Sequence, residues 1–268
     1  MASGAMQRDR RRRYHADMPA ARRAMRLPIL LCLLATVGCS HVAPRNPMAQ
    51  WVPSPNHDAR RPLLIVVHYT EQDSVARSLN TLRTRNSGGR VSAHYLIGRD
   101  GALYQLVSDE RRAWHAGAGS WGTIGDVNSA SIGIELDNDG ASPFPDPQID
   151  ALLRLLDDLT TRHRIPRTQV IGHADLAPAR KIDPGPLFPW RRLAEAGYGT
   201  WPRDDAGSAP EGFDPLQALR LLGYPMDDPA ATIRAYRMRY RGDAASQLDA
   251  EDARILHALT STKPGVAP

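Results

Sequence analysis

The chain has 268 residues, long enough for one medium domain and a small one, with 34 Lys and Arg against 29 Asp and Glu and a formal net charge of +5. Residues 1–26 carry eight Arg and two Asp, which leaves about −1 for the remainder, so the main body has no overall positive field with which to attract nucleic acid. Its two cysteines, Cys32 and Cys39, lie in one apolar N-terminal segment, where they supply neither a disulfide nor a metal thiolate to a fold further along.

Leu27 to Gly38 is uncharged and almost wholly apolar, and Arg22, Arg23 and Arg26 precede it. At twelve residues it falls short of the ~20 a spanning helix needs, and it has the layout of an export signal, with Met18 or Met25 as alternative starts. The run closes on Thr36-Val37-Gly38-Cys39-Ser40. Residues 41–61 contain four Pro and are expected to be an irregular tether.

Leu63 to Val67 is an apolar run, β-branched from Ile65 on, and it ends in His68. Val75, Leu79 and Leu82 have helical spacing over 74–85, and Asn86-Ser87-Gly88-Gly89 stops that helix. Val91–Ile97 and Ala102–Val107 are predicted strands joined through Asp100-Gly101, a hairpin signal. Arg112 to Gly119, with Trp114 and His115, is an irregular stretch of glycines and aromatics. It suits either a substrate wall or a surface loop whose Trp packs on the body. Ser131–Leu136 alternates: Ile132, Ile134 and Leu136 face one way, Gly133 and Glu135 the other. Glu135 suits either a general base tuned by burial or a salt-bridged carboxylate on a half-exposed strand.

Asp146 as N-cap with Pro147 at the first helical position opens a helix striped by Ile149, Leu152, Leu153, Leu156 and Leu159 and ending near His163. Strands mixed with helices over 60–195 predict one α/β sheet domain. Residues 197–212 are rich in Gly, Pro and Asp, as a linker is. Asp214-Pro215 and Asp228-Pro229 are two more helix starts, and a third apolar stripe runs through Ile255, Leu256 and Leu259. About fifty residues make a marginal core, so this three-helix module is expected to lean on the larger domain.

Residues 172–186 hold His173, Lys181 and Asp183 among turn formers, after a predicted strand at 168–171, and are too rich in Pro and Gly for a regular element. Two histidines at strand ends, His68 and His173, plus Asp183 from a loop form a two-nitrogen, one-oxygen set that suits zinc with an open fourth position. A strand-end histidine is equally a capped or solvated residue, and Asp-Pro is a common turn; spacing does not decide convergence, and no HExxH or CxxC motif is present.

Taken together, Val67-His68-Tyr69, Val91-Ser92-Ala93-His94, Ala113–Gly117, Ser131–Leu136 and Gly172-His173 with Lys181–Pro186 resemble, in order and spacing, the type-2 zinc N-acetylmuramoyl-L-alanine amidases, the AmpD-like enzymes related to animal peptidoglycan recognition proteins. The resemblance covers about 60–195 and implies a mixed central sheet flanked by helices. It places one zinc ion on His68, His173 and Asp183, a catalytic Glu at Glu135 and a catalytic Lys at Lys181. Trp114, His115 and Asn138, the last in the 138–143 loop, are candidate substrate contacts, and His94 is expected to support or pack. Thr36–Ser40 resembles a bacterial lipobox, with Thr36 where that pattern usually has Leu. The layout is similar to the outer-membrane lipoprotein branch of the family.

The resulting division is 1–39 extension and signal peptide, 40–59 tether, 60–197 amidase domain, 198–212 linker, 213–262 peptidoglycan-binding-like helices and a 263–268 tail. The expected activity is hydrolysis of the bond between N-acetylmuramic acid, or its 1,6-anhydro form, and L-Ala of the stem peptide. The expected protein is a monomer whose partner is peptidoglycan, touching the membrane only through a lipid on Cys39 and facing the periplasm, or soluble there if Cys39 is unmodified. The competing readings are a non-catalytic peptidoglycan-binding lipoprotein and a cytosolic recycling amidase.

Overall fold

The β-branched runs build the centre of the molecule. A computed structural model describes residues 45–59, 62–86 and 89–261. The proposed leader, lipobox and C-terminal tail lie outside them. In chain order the strands are β1 (Gln50–Trp51), β2 (His57–Ala59), β3 (Leu64–Tyr69), β4 (Arg85–Asn86), β5 (Gly89–Arg90), β6 (Tyr95–Ile97), β7 (Leu103–Gln105), β8 (Arg111–Ala113), β9 (Ser131–Leu136) and β10 (Val170–Gly172). The helices are α1 (Val75–Arg83), α2 (Val127–Ala130), α3 (Asp146–His163), α4 (His173–Leu176), α5 (Trp190–Glu195), α6 (Pro215–Leu222), α7 (Pro229–Tyr240) and α8 (Ala250–Ser261).

Six strands form one sheet in the order β1-β7-β6-β9-β3-β10, parallel throughout except for the β6–β7 hairpin. Alternation decides the two faces. Ile65, Val67, Ile132, Ile134 and Leu136 pack under the apolar stripe of α3, while Leu64, Val66 and Ile171 turn the other way, toward Ala116, Val127 and Leu176. Register then does the positioning. β3 and β9 pair with His68 opposite Glu135 and Val66 opposite Gly133, so His68 and Glu135 stand side by side on the second face, near the carboxyl ends of their strands.

Several local expectations shift. Residues 45–59 are not a tether: β1 extends the sheet alongside β7 and β2 pairs with β8. Asn46 is buried, its backbone N–H donating to Gln105 and its amide to Asp158. Prolines 47, 53 and 55 are compatible because an edge strand needs only one side of its ladder. The strand expected over 91–97 shortens to β6, and the one expected at 168–171 begins only at Val170, after a 3-10 turn at Arg167–Gln169. Pro145, not Asp146, caps α3; Asp146 sits inside the first turn and pairs with Arg192. The loop expected after β10 opens with a helical turn, α4, because the Asp175 carboxylate accepts the free Gly172 N–H at its start.

The C-terminal helices start as their Asp-Pro pairs require: Asp214 accepts from the N–H groups of Leu216 and Gln217, and Asp228 from Ala231. They are not a separate body, since all described residues fall in one compact unit. α7 is covered on most of its circumference, burying Ile233, Tyr236, Arg237, Arg239 and Tyr240. The segment expected as linker is docked at its start, where Gly199 N–H donates to Arg167 and Thr200 bonds Tyr240.

Candidate metal centre and catalytic cleft

Three side chains converge at the carboxyl ends of β3 and β10. His68 Nδ1 lies 2.9 Å from His173 Nδ1 and 3.1 Å from Asp183 Oδ2, and His173 Nδ1 lies 3.0 Å from the same oxygen. All three residues are buried. Burial and the neighbouring His173 imidazole push the His68 pKa down to about 4, so His68 is neutral at pH 7.

Hydrogen bonds around the set assign the tautomers. Ser131 Oγ donates to Val127 O at 2.6 Å, leaving its lone pair to accept from His115 Nε2 at 3.1 Å. His115 Nδ1 is then an acceptor, and His68 Nε2 donates to it at 3.0 Å. His173 Nε2 donates to Ala116 O at 2.9 Å. Both Nδ1 atoms are left as lone pairs facing a carboxylate oxygen. Three electron pairs aimed at one another within 3.1 Å repel unless a cation joins them. Tetrahedral zinc with bonds of ~2.0–2.1 Å spaces its ligand atoms about 3.3 Å apart, close to the separations found here. The chemistry and the spacing of His68, His173 and Asp183 therefore fit a metal ion.

Glu135 borders the same cleft. Its Oε2 is sealed from solvent and has no hydrogen-bond partner among the described residues. Burial, then the Asp183 carboxylate, raises its pKa well above the ordinary value, with Lys181 pulling the other way. Lys181 and Trp114 line the cleft, whose volume is about 440 Å³. Arg90 stacks over the Trp114 ring at 5.1 Å.

Of the residues expected in a substrate wall, Asn138 stands elsewhere and His115 has a further task. His115 reaches the cleft, but its ring nitrogens are committed to His68 and Ser131, so it orients a ligand. It lies flat over β9 because residue 133 is Gly: a Cβ there would come within 2.4 Å of the ring. Asn138 is fully buried and does not line the cleft; its amide donates to Ser142 O and its carbonyl accepts from Gly140, folding the 138–142 loop. His94 supports, with Nε2 donating to Arg111 O and Nδ1 accepting the Gly133 N–H. Sequence reasoning overlooked Arg180, which ties the loop bearing His115 by donating to Ala116 O at 2.7 Å and to Ala118 O. It also overlooked Asp175. The signal for Asp175 was a carboxylate two residues past a ligand in an apolar segment, where only a partner makes burial tolerable.

Comparison with known proteins agrees with this geometry. The family described as N-acetylmuramoyl-L-alanine amidase matches residues 58–186. AmiD of Escherichia coli, an N-acetylmuramoyl-L-alanine amidase, is 37% identical over 230 residues, 73% of this chain and 81% of that protein. AmpD of Enterobacter cloacae, a 1,6-anhydro-N-acetylmuramyl-L-alanine amidase, is 34% identical over 164 residues, 54% of this chain and 88% of its own length. The structure of Escherichia coli AmiD with anhydro-N-acetylmuramic acid-L-Ala-D-gamma-Glu-L-Lys superposes with a TM-score of 0.67 at 34% identity, covering 75% of this chain and 89% of that one. AMPDH3 of Pseudomonas aeruginosa gives 0.67 at 35% identity, covering 80% and 96%. In length matched, fold and site chemistry, the chain belongs to the N-acetylmuramoyl-L-alanine amidase family.

Proposed function

We propose that this protein is a zinc-dependent amidase that cuts the bond between the lactyl group of N-acetylmuramic acid, or of its 1,6-anhydro form, and L-Ala of a peptidoglycan stem peptide. The observation that carries the reading is the His68–His173–Asp183 lone-pair triangle with Glu135 paired beside His68 in register. Bound zinc would supply Lewis acidity, polarising the scissile carbonyl and lowering the pKa of water toward ~7.

The residues of the chain do the rest. Glu135, kept basic by burial, accepts the proton of the attacking water as its oxygen bonds to the carbonyl carbon. The C–N bond then breaks, and the Glu135 carboxylic acid returns that proton to the departing L-Ala nitrogen. Lys181, in the same cleft, offers its ammonium to the oxyanion that forms in between. Trp114 and the exposed Ile182 flank the opening and give the sugar-peptide apolar walls. His115 and Ala116 hold His68 and His173 in the required tautomers throughout.

The apolar Leu27–Gly38 run, its preceding arginines and Cys39 support export, lipidation of Cys39 and a place on the outer membrane facing the periplasm. Among the described residues no helix is long and apolar enough to cross a membrane. We take the working unit to be a monomer acting on muropeptides or the wall.

The test is a digest of defined muropeptides, with and without the 1,6-anhydro ring, by protein loaded with zinc and by protein treated with a chelator, read by mass spectrometry. Zinc-dependent release of an intact stem peptide beginning at L-Ala is expected. Muropeptide retained without cleavage, with zinc bound, would replace the reading with that of a wall-binding protein.

A further inference from the structure

The metal ligand His173 opens a helix of only four residues, α4, too short to hold its own geometry. Asp175 holds it instead. One carboxylate oxygen accepts from Gly172 N–H at 2.8 Å and from Arg239 Nη1 at 2.6 Å, and the other accepts from Tyr224 OH at 2.9 Å. Arg239 also donates to Val170 O at 3.1 Å, on the strand leading into His173, and stacks over Trp190 at 4.1 Å. All three side chains are buried. Tyr224, in the corner between α6 and α7, and Arg239, on α7, lie 49 and 64 positions from Asp175.

The same module grips the other end of the His173 ring. His173 Nε2 is anchored on Ala116 O. The loop that carries Ala116 is tied down by Gly122 N–H donating to Gly223 O at 2.8 Å, and by the Trp121 ring set edge-on against Tyr224 at 5.1 Å. The Gly223–Tyr224 corner between α6 and α7 thus secures both fixed points of the imidazole. A wall-binding module joined only by a linker would need neither a buried ion pair nor a hydrogen bond to the ligand's own helical turn.

We propose that the C-terminal helices are a working part of the metal centre, with Tyr224 and Arg239 acting as positioning residues for His173 through Asp175. This rests on the metal-centre reading given above. Partners that orient a ligand from one step further out are worth about 10–100-fold in metal affinity, and Tyr224 acts one step beyond that, so a loss of roughly three- to tenfold is expected for its hydroxyl alone.

The experiment uses the full chain, stripped of metal and titrated with zinc against a chromophoric chelator, with thermal unfolding recorded for each sample. Tyr224→Phe removes one hydroxyl and keeps the ring against Trp121; it is expected to fold and to bind zinc roughly three- to tenfold more weakly. Arg239→Lys, which keeps a cation for Asp175, is expected to retain more affinity than Arg239→Met. Tyr236→Phe is the control, because its hydroxyl meets Asp252 O in the same module, away from His173; it is expected to leave zinc affinity unchanged. Zinc affinity of Tyr224→Phe within twofold of wild type, or equal losses in Tyr224→Phe and Tyr236→Phe, would overturn the positioning role. A wild type that binds zinc no better than His68→Ala would overturn the metal-centre reading itself, and this inference with it.

Discussion

Two buried carboxylates, Asp109 and Asp183, each lie against histidine, yet they do opposite things. Asp109 is surrounded by donors: Arg162 Nη1 at 2.5 Å, Tyr95 OH at 2.8 Å, His163 Nε2 at 2.9 Å and Gln105 Nε2 at 3.2 Å. Burial would raise its pKa, but His163, Arg162 and Tyr95 outweigh that and hold it at about 2. The carboxylate is satisfied and the cluster is closed. Asp183 faces two imidazoles whose Nε2 protons are already spent on His115 and Ala116, so what meets it is lone pairs, beside a cleft. A saturated anion is a structural tie, whereas an anion among acceptors is an unfinished site that a cation completes.

Exchanging the two carboxylates for amides breaks this comparison most directly. Asp183→Asn should abolish zinc retention and lower turnover by about 10³-fold or more, measured by metal content and stem-peptide release. Glu135→Gln should keep zinc and lose ~10²–10⁴-fold in turnover, since only the proton carrier is gone. Lys181→Ala should also keep zinc and lose ~10²–10³-fold; turnover equal to wild type would remove the oxyanion role. Asp109→Asn should leave zinc and turnover intact and cost about 3 kcal/mol of stability in denaturant unfolding.

Acid sharpens the same contrast. The folded-state pKa of Asp109 lies below its ordinary value of 3.8, so its contribution is present above about pH 4 and is lost as pH falls toward about 2. The shift corresponds to about 2 kcal/mol. Wild type should therefore lose stability over that window more steeply than Asp109→Asn, and equal slopes would show that Asp109 is not the group responsible.

Much of the site was readable because its parts obey local rules. The alternation of Ser131–Leu136 put Glu135 and Gly133 on the face opposite the core, and β9 runs over those same residues. Asp214 and Asp228 announced their helices through capping chemistry. What stayed hidden depends on pairs far apart in sequence. Nothing in the spacing of Asp175 and Arg239 shows that they meet, and nothing near His115 says that its partner is His68. The proline-rich segment before β3 concealed two strands, because the pairing that makes them strands is supplied by β7 and β8, some fifty residues later. Asn138 looked available from its loop, but the turn it sits in uses both ends of its amide.

That N-terminal pairing bears on how the protein behaves outside its native state. β1 occupies the open flank of β7, with Val52 and Ser54 N–H groups continuing the ladder to Gln105 and Leu106. A chain begun at residue 60, where sequence alone sets the domain boundary, would leave that flank as a bare row of N–H and C=O groups, able to recruit the same strand of another copy. The segment that resembles a leash is itself a two-residue edge strand with Pro47 and Pro53 close on either side, so it exposes a far shorter row than the flank it covers.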